Sequence, residues 1–257
     1  MSIEQDLFIV AGEREGLKAI TPVPNDMMTS SQRRRPMIRR ASASVALHDS
    51  LRERILNLDL APGQYISRSE IAAEYQVSLT PVRDALIKLE EEGLIHIYPQ
   101  SKTEVSKIDL SHARETHFLR LSLELEIVSR LAAMGASAPV QPARSSLAQQ
   151  IAAHDANDLS SFVRLDRAFH HALYEAIGME ALSSVIEARS GHIDRLRKLN
   201  LPAPGKSESI VGCHTRILEA IERGDVEAAR AVLREHLSGT LAMADEIRER
   251  NPDFFVA

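Results

Sequence analysis

A change of hydrophobic period between residues 45 and 105 restricts the fold of this chain more than any other sequence feature. Apolar residues first recur at helical spacing, at Val45, Leu47, Leu51, Ile55 and Leu58. Two shorter helices are predicted next, one with Ser69 as its N-cap and one that begins after Ser78 and stops at Gly93. The segments LIHIY and TEVSK then flank a turn and predict a β-hairpin. Helix, helix, turn, helix and hairpin form the outline of a winged helix-turn-helix over 45–107.

The remainder of the chain is predicted to be a second, all-helical domain over 108–250, followed by a tail at 251–257. Its patterns favour helices at 109–134, 143–156, 158–177, 179–199, 207–223 and 225–249. Aromatic residues make up 4% of the chain, so aliphatic side chains must fill the core. The one cysteine, Cys213, excludes an intrachain disulfide and a CxxC zinc site. The predicted fold class is therefore mostly α, with a short hairpin wing and an antiparallel helical bundle.

The only basic cluster precedes these domains. The segment QRRRPMIRR, residues 32–40, holds five arginines and no acid, and we interpret 1–44 as a flexible basic arm. The arm is either a solvated tail or a nucleic-acid backbone contact. Met27 or Met28 offers an alternative translation start. The chain has no apolar run long enough to cross a bilayer and no signal-peptide pattern, which predicts a cytoplasmic protein that does not contact membranes.

Four polar residues fall on apolar stripes of the predicted bundle, namely Asp166, His170, His214 and His236. Burying them separately would cost several kcal/mol. They are either hydrogen-bonded core residues or ligands that converge on one divalent ion, such as zinc, nickel, cobalt, manganese or iron(II). An Asp/His₃ site with open positions also suits a metal-dependent enzyme, although no general base is placed by spacing.

Two stretches resemble one regulator superfamily. The segment around VSLTPVRDAL and LEEEGLI, within 45–105, resembles the DNA-binding domain of GntR-superfamily transcription regulators. The segments ETHFLRLSLELEI, LDRAFHHALYEAIG and CHTRILEAIERGDVEAARAVLREHL resemble the FadR-type effector domain called FCD. This resemblance implies a homodimer on palindromic operator DNA and a cavity for a small, carboxylate-bearing effector. It also implies a metal held by the four polar residues named above.

The resemblance further suggests which residues meet the effector. Arg120 matches an inward-facing arginine of the family, although it is also spaced to pair with Glu124 on the same helix. His192 and Arg195 are weaker candidates for the same cavity.

The second helix of a helix-turn-helix enters the major groove with its N-terminal residues. The predicted DNA contacts, including the wing, are Arg68, Ser78, Thr80, Arg83, Lys102 and Thr103. Two positions depart from the family pattern, because Leu79 stands where an arginine is usual and Lys102 stands near the usual wing glycine. The predicted function is a DNA-binding regulator; a metal-dependent enzyme and a structural helical adaptor are the alternatives.

Overall fold

The computed structural model describes residues 38–99 and 102–256. The first part of this range is a small helical unit with a three-stranded sheet. Its elements are α1 (Ile38–Leu56), β1 (Tyr65–Ile66), α2 (Arg68–Glu74), α3 (Leu79–Glu91), β2 (Ile95–Ile97) and β3 (Thr103–Val105). The winged helix-turn-helix predicted from the sequence is confirmed, and we call 38–105 the DNA-binding unit.

Helix α1 packs on the recognition helix α3. Leu47, Leu51 and Ile55 recur every four residues along α1, and all three are buried in one core with Val82 and Leu86 of α3. Helix α1 begins at Ile38 and not near Val45, so the predicted arm overlaps a helix. The rest of that arm, 1–37, lies outside the described residues.

The cap of α2 is Ser67, not the predicted Ser69. The Ser67 hydroxyl accepts a hydrogen bond from the Glu70 amide, and Ser69 lies inside the first turn. Ser78 does occupy the N-cap position of α3, but its side chain makes no capping hydrogen bond.

The wing is an antiparallel sheet of order β1-β3-β2. Strands β2 and β3 form the predicted hairpin, in which Ile97 lies opposite Thr103. Strand β1 adds a third strand that the sequence analysis missed, with Ile66 also opposite Thr103. Its two residues are too few to show a period.

The helical domain follows the sheet. Its helices are α4 (Leu110–Met134), α5 (Gln141–Asp155), α6 (Leu159–Glu175), α7 (Glu180–Arg189), α8 (Gly191–Asn200), α9 (Lys206–Arg223), α10 (Val226–Ser238) and α11 (Ala244–Arg250). Their main core combines aliphatic side chains of α4, α5, α6, α9 and α10 with Phe169 and Tyr174. No helix of 38–99 or 102–256 is long and apolar enough to cross a membrane.

Two predicted long helices are each divided. The helix predicted at 179–199 ends at Ser190 and restarts at Gly191, where α8 approaches Leu94 of the DNA-binding unit. The helix predicted at 225–249 is broken by a 3₁₀ turn at Leu241–Met243. In both places helical periodicity continues across the break, which is why the sequence pattern hides it.

The last residues are packed against the interdomain linker. The amide of Ile108 donates to the Phe254 carbonyl, the amide of Val256 donates to the Ile108 carbonyl, and Phe255 is buried. The described residues all lie in one compact unit, Met37–Ala257.

Candidate metal centre and DNA-binding surface

The helical domain brings the four predicted metal ligands together. Asp166 and His170 project from one face of α6, His214 comes from α9 and His236 from α10. One ligand atom of each lies within 4.8 Å of those of the other three. The Nε2 atom of His236 is 3.0 Å from that of His170 and 3.2 Å from that of His214, which is 3.5 Å from Asp166 Oδ1.

These separations match the edges of a coordination polyhedron. Two ligand atoms that each lie ~2.1 Å from an ion are ~3.0 Å apart at a right angle and ~3.4 Å apart at a tetrahedral angle. The cluster could therefore hold a divalent ion with little rearrangement.

Two buried groups behind the cluster fix how the imidazoles face it. His170 donates from Nδ1 to Glu124 Oε2 at 2.8 Å, and His214 donates from Nδ1 to Gln150 Oε1 at 2.8 Å. Both rings therefore direct an Nε2 lone pair toward the same point. Such outer hydrogen bonds orient histidine ligands and raise their basicity.

The charge states of the cluster also suit a cation. Burial lowers the pKa of His214 to about 3 and holds the pKa of His236 well below its ordinary value. Burial alone would raise the pKa of Asp166, but the surrounding histidines and arginines bring it below its usual range. The neutral imidazoles and the ionised carboxylate are the metal-binding forms.

Arg120 forms the predicted ion pair with Glu124, and its contact with an effector stays a prediction. Its Nε donates to Glu124 Oε1 at 2.6 Å, which is the predicted pair within α4, and the residue also lines a cavity beside the cluster. Burial alone would raise the pKa of Glu124, but Arg120 and His170 hold it well below its usual range. Glu124 thus links the arginine to a predicted metal ligand, His170.

The predicted DNA contacts lie mainly on one surface. Arg68, Arg83 and Lys102 line the same concavity between α2, α3 and the wing. Ser78, Thr80 and Arg83 are exposed at the start of α3. Arg83 forms no ion pair within 38–99 or 102–256, so its guanidinium is available to another molecule.

Two wing residues differ in their access to that surface. Lys102 Nζ lies 4.0 Å from the centre of the Tyr65 ring and 4.9 Å from that of Tyr98, which holds the cation at the rim. Thr103 is 1% exposed. Its backbone is paired on both sides in the sheet, and the residue is among those that line the concavity, so the contact from Thr103 stays a prediction.

Comparisons with known proteins address the family directly. Residues 43–105 match the model of the bacterial regulatory proteins of the gntR family, and residues 115–239 match the FCD domain. The HTH-type transcriptional repressor RspR of Escherichia coli is 31% identical over 205 residues, covering 80% of this chain and 90% of the relative. This chain belongs to the GntR family. A GntR-family chain with an FCD domain is a helix-turn-helix transcriptional regulator, and its relatives are regulators and not enzymes.

Other relatives agree with this assignment. An uncharacterised HTH-type transcriptional regulator in an unstable DNA locus of Streptomyces ambofaciens is 36% identical over 205 residues, 80% of this chain and 86% of the relative. The solved structure of McbR/YncC from E. coli superposes with a TM-score of 0.66 at 22% identity, covering 79% of this chain and 97% of that one. This structural likeness concerns the fold alone.

The other two effector candidates of this GntR-family protein do not reach the metal cluster. His192 Nδ1 accepts a hydrogen bond from the Asp109 amide at 3.0 Å. Arg195 is fully buried and donates to the carbonyls of Ser106 and Gly191. Both residues tie α8 to the linker between the domains, so the cavity role predicted for them does not fit their positions.

Two cavities border the metal cluster. The helical cavity, of about 290 Å³, is lined by α4, α6, α7 and α8, with Arg120, Tyr174 and Arg197 among its residues. The interdomain cavity, of about 60 Å³, lies between the end of α1 and helices α6, α8, α9 and α10. Asp166 and Arg197 line both.

Sequence reasoning missed Arg197, a mostly buried cation that lines both cavities. Its side chain is 23% exposed, burial lowers its pKa, and its recorded ion pair is a long one of 3.7 Å to Asp194. The only available signal was its four-residue spacing from Ile193 on α8, which is not distinctive.

Proposed function

We propose that this GntR-family regulator binds operator DNA through the start of α3 and the wing, and that a small carboxylate bound at a metal centre changes that binding. The observation that carries the proposal is the position of Arg197. This mostly buried cation lines both cavities that border the Asp/His₃ cluster.

The DNA end of the proposal rests on Arg83. An exposed arginine on the first turns of a recognition helix can donate two hydrogen bonds to guanine O6 and N7 or one pair to a phosphate. Thr80 and Ser78 precede it on the exposed side, and Arg68 and Lys102 supply positive charge at the flanks. The DNA-binding region, 41–108, has seven basic and ten acidic residues, so local charge must outweigh a net charge of −3.

The metal centre would be held by Asp166, His170, His214 and His236. A divalent ion bound there supplies a fixed positive charge and open coordination positions that a carboxylate oxygen can take. Glu124 and Gln150 hold the His170 and His214 rings in the ligating orientation, as described above.

Effector binding is supported by polar groups near the cluster that lack a full set of hydrogen-bond partners. Arg197 offers guanidinium N–H groups to an anion that approaches the cluster. The Tyr174 hydroxyl lines the helical cavity and has no hydrogen-bond partner in the part of the chain that the structure describes. A buried hydroxyl without a partner is costly, and a polar ligand would satisfy it.

We also propose that the regulator acts as a homodimer. A helix-turn-helix unit reads one half-site, and two-fold symmetry pairs two such units on a palindrome. Phe118, on α4, is 73% exposed, which is unusual for a large apolar side chain and supports a contact between copies.

Two variants test the two ends of the proposal and serve as controls for each other. Arg83→Ala should abolish binding to a duplex from the region upstream of the gene, measured by fluorescence anisotropy, and should leave about one metal per chain by elemental mass spectrometry. His214→Ala should lose the metal. Equal DNA affinity of wild type and Arg83→Ala would refute the assigned DNA surface, and unchanged metal content of His214→Ala would remove that residue from the centre.

A further inference from the structure

The DNA-binding unit forms one wall of the interdomain cavity. Leu56, the last residue of α1, and the following Asn57 line it from this side. The opposite walls come from α6, α8, α9 and α10 of the helical domain, and they include the metal-centre residues Asp166 and His236. One continuous space therefore extends from the metal cluster to the DNA-binding unit.

The cavity has a charged end. Arg197 and Lys206 lie with Asp166 and His236 among its lining residues. Lys206 is half-buried, and its ammonium group forms no hydrogen bond or ion pair with any residue of 38–99 or 102–256. The lining holds two carboxylates, those of Asp166 and Asp194, and four basic residues, Arg167, Arg197, Lys198 and Lys206, so positive charge is in excess there.

The rest of the lining includes an apolar group. It consists of Leu56 from α1, Phe162 and Val163 from α6, Leu201 from the end of α8 and Ile210 from α9. Apolar side chains that face a cavity favour a ligand portion without polar atoms, because such a portion loses no hydrogen bonds to water.

We propose that the interdomain cavity accepts the apolar portion of a monocarboxylate whose carboxylate lies at the charged end, so that the ligand touches Leu56 and Asn57 of the DNA-binding unit. This inference rests on the proposed function, since it requires a carboxylate at the metal centre. It goes further than the proposed function in two respects. It names the effector as a monocarboxylate with an apolar portion, and it has the effector contact the DNA-binding unit directly.

The route from this wall to DNA is short. Lys198 Nζ of α8 donates to Asn57 Oδ1 at 3.4 Å, which is a long hydrogen bond between α8 and the cavity wall. Helix α1 ends at this wall and shares the buried core of Leu51, Ile55 and Val82 with the recognition helix. A ligand that fills the cavity moves or braces α1 directly and does not need a relay through the rest of the helical domain.

The chemical class is tested with metal-loaded full chain by calorimetric titration. The probes are the straight-chain alkanoates acetate, butanoate and hexanoate, with succinate and adipate as dicarboxylates of the same lengths. Affinity should rise about fourfold for each added CH₂ group of the alkanoates. Hexanoate should bind more tightly than adipate, because adipate places a second charge against the apolar wall.

The contact with the DNA-binding unit is tested with Asn57→Glu. This variant places a negative charge beside the apolar end of the bound alkanoate. This variant should weaken hexanoate binding at least tenfold and leave acetate binding unchanged, and hexanoate should no longer shift its affinity for operator DNA. Asn57→Ala is the matched control, since it loses the Lys198 hydrogen bond without adding charge and should retain hexanoate binding. Asn57 is partly exposed after the end of α1, and the melting temperature of each variant checks its folding.

The outcomes separate the two proposals. Carboxylates that bind equally well whatever their chain length, or hexanoate binding that Asn57→Glu leaves intact, would overturn the inference and leave the metal-site effector standing. Absence of binding by all five carboxylates would overturn the proposed function and the inference with it.

Discussion

Replacing Gly191 with alanine should strain the joint between the DNA-binding unit and the helical domain. Gly191 is the first residue of α8, and a β-carbon there would lie 2.4 Å from Cδ2 and 3.2 Å from Cγ of Leu94. Leu94 is fully buried, so its side chain has little space into which it can move. Forcing an extra methyl group into a packed core costs ~1–3 kcal/mol.

Gly212→Ala is the matched control for this substitution. Gly212 also lies within a helix, α9, but a β-carbon there meets no atom within 4 Å. Alanine is favoured over glycine inside a helix by ~1 kcal/mol, so the control should stabilise the protein.

Thermal unfolding of the full chain, followed by circular dichroism, separates the two effects. For a domain of this size a change of ~1 kcal/mol shifts the Tm by ~2–4 °C. Gly191→Ala should therefore lower the Tm by ~2–12 °C, and Gly212→Ala should raise it by ~2–4 °C. A Gly191→Ala variant with a Tm raised as much as that of the control would refute the close approach of α8 to Leu94.

Two further predictions concern buried groups. Glu124→Gln keeps all four ligands but weakens the bond that orients His170, and metal affinity measured by chelator competition should fall ~10–100-fold, whereas Glu126→Gln on the exposed side of α4 should change nothing. Burial lowers the pKa of His192 to about 3, so the unfolded chain takes up a proton near pH 6.5 that the folded chain does not. His192 should therefore contribute ~1 kcal/mol per pH unit to the fall in the free energy of unfolding below pH 6, and the fall in His192→Asn, measured by urea denaturation, should be smaller by that amount. Equal slopes would contradict the buried, neutral state of this imidazole.

Features whose residues lie on one helix, or close together in the sequence, are predicted best from the sequence. Asp166 and His170 are four residues apart on α6, so their common face follows from helical geometry alone. The DNA-binding unit is similarly local, because its helices and hairpin follow one another within about 65 residues. The convergence of His214 and His236 on the same point required the family resemblance, since spacing alone left hydrogen-bonded core histidines equally open.

The sequence pattern could not predict contacts between elements that lie far apart in the chain. Gln150 lies on α5, 64 residues before the His214 ring that it orients, and no period connects the two. His192 and Arg195 were the weaker cavity candidates, on the helix before the LPAPGK loop. Their true surroundings, the linker at Ser106 and the Asp109 amide, are set by how α8 packs on the DNA-binding unit.

Leu79 has a consequence for how this regulator responds to ionic strength. It is the first residue of α3, it is 60% exposed, and it replaces the arginine that the family resemblance leads one to expect. Each phosphate neutralised by a cationic side chain releases counterions and steepens the decline of log K with log salt by ~0.9. Where the arginine of a relative contacts a phosphate, this protein releases fewer counterions, and its operator complex should lose less affinity as salt rises.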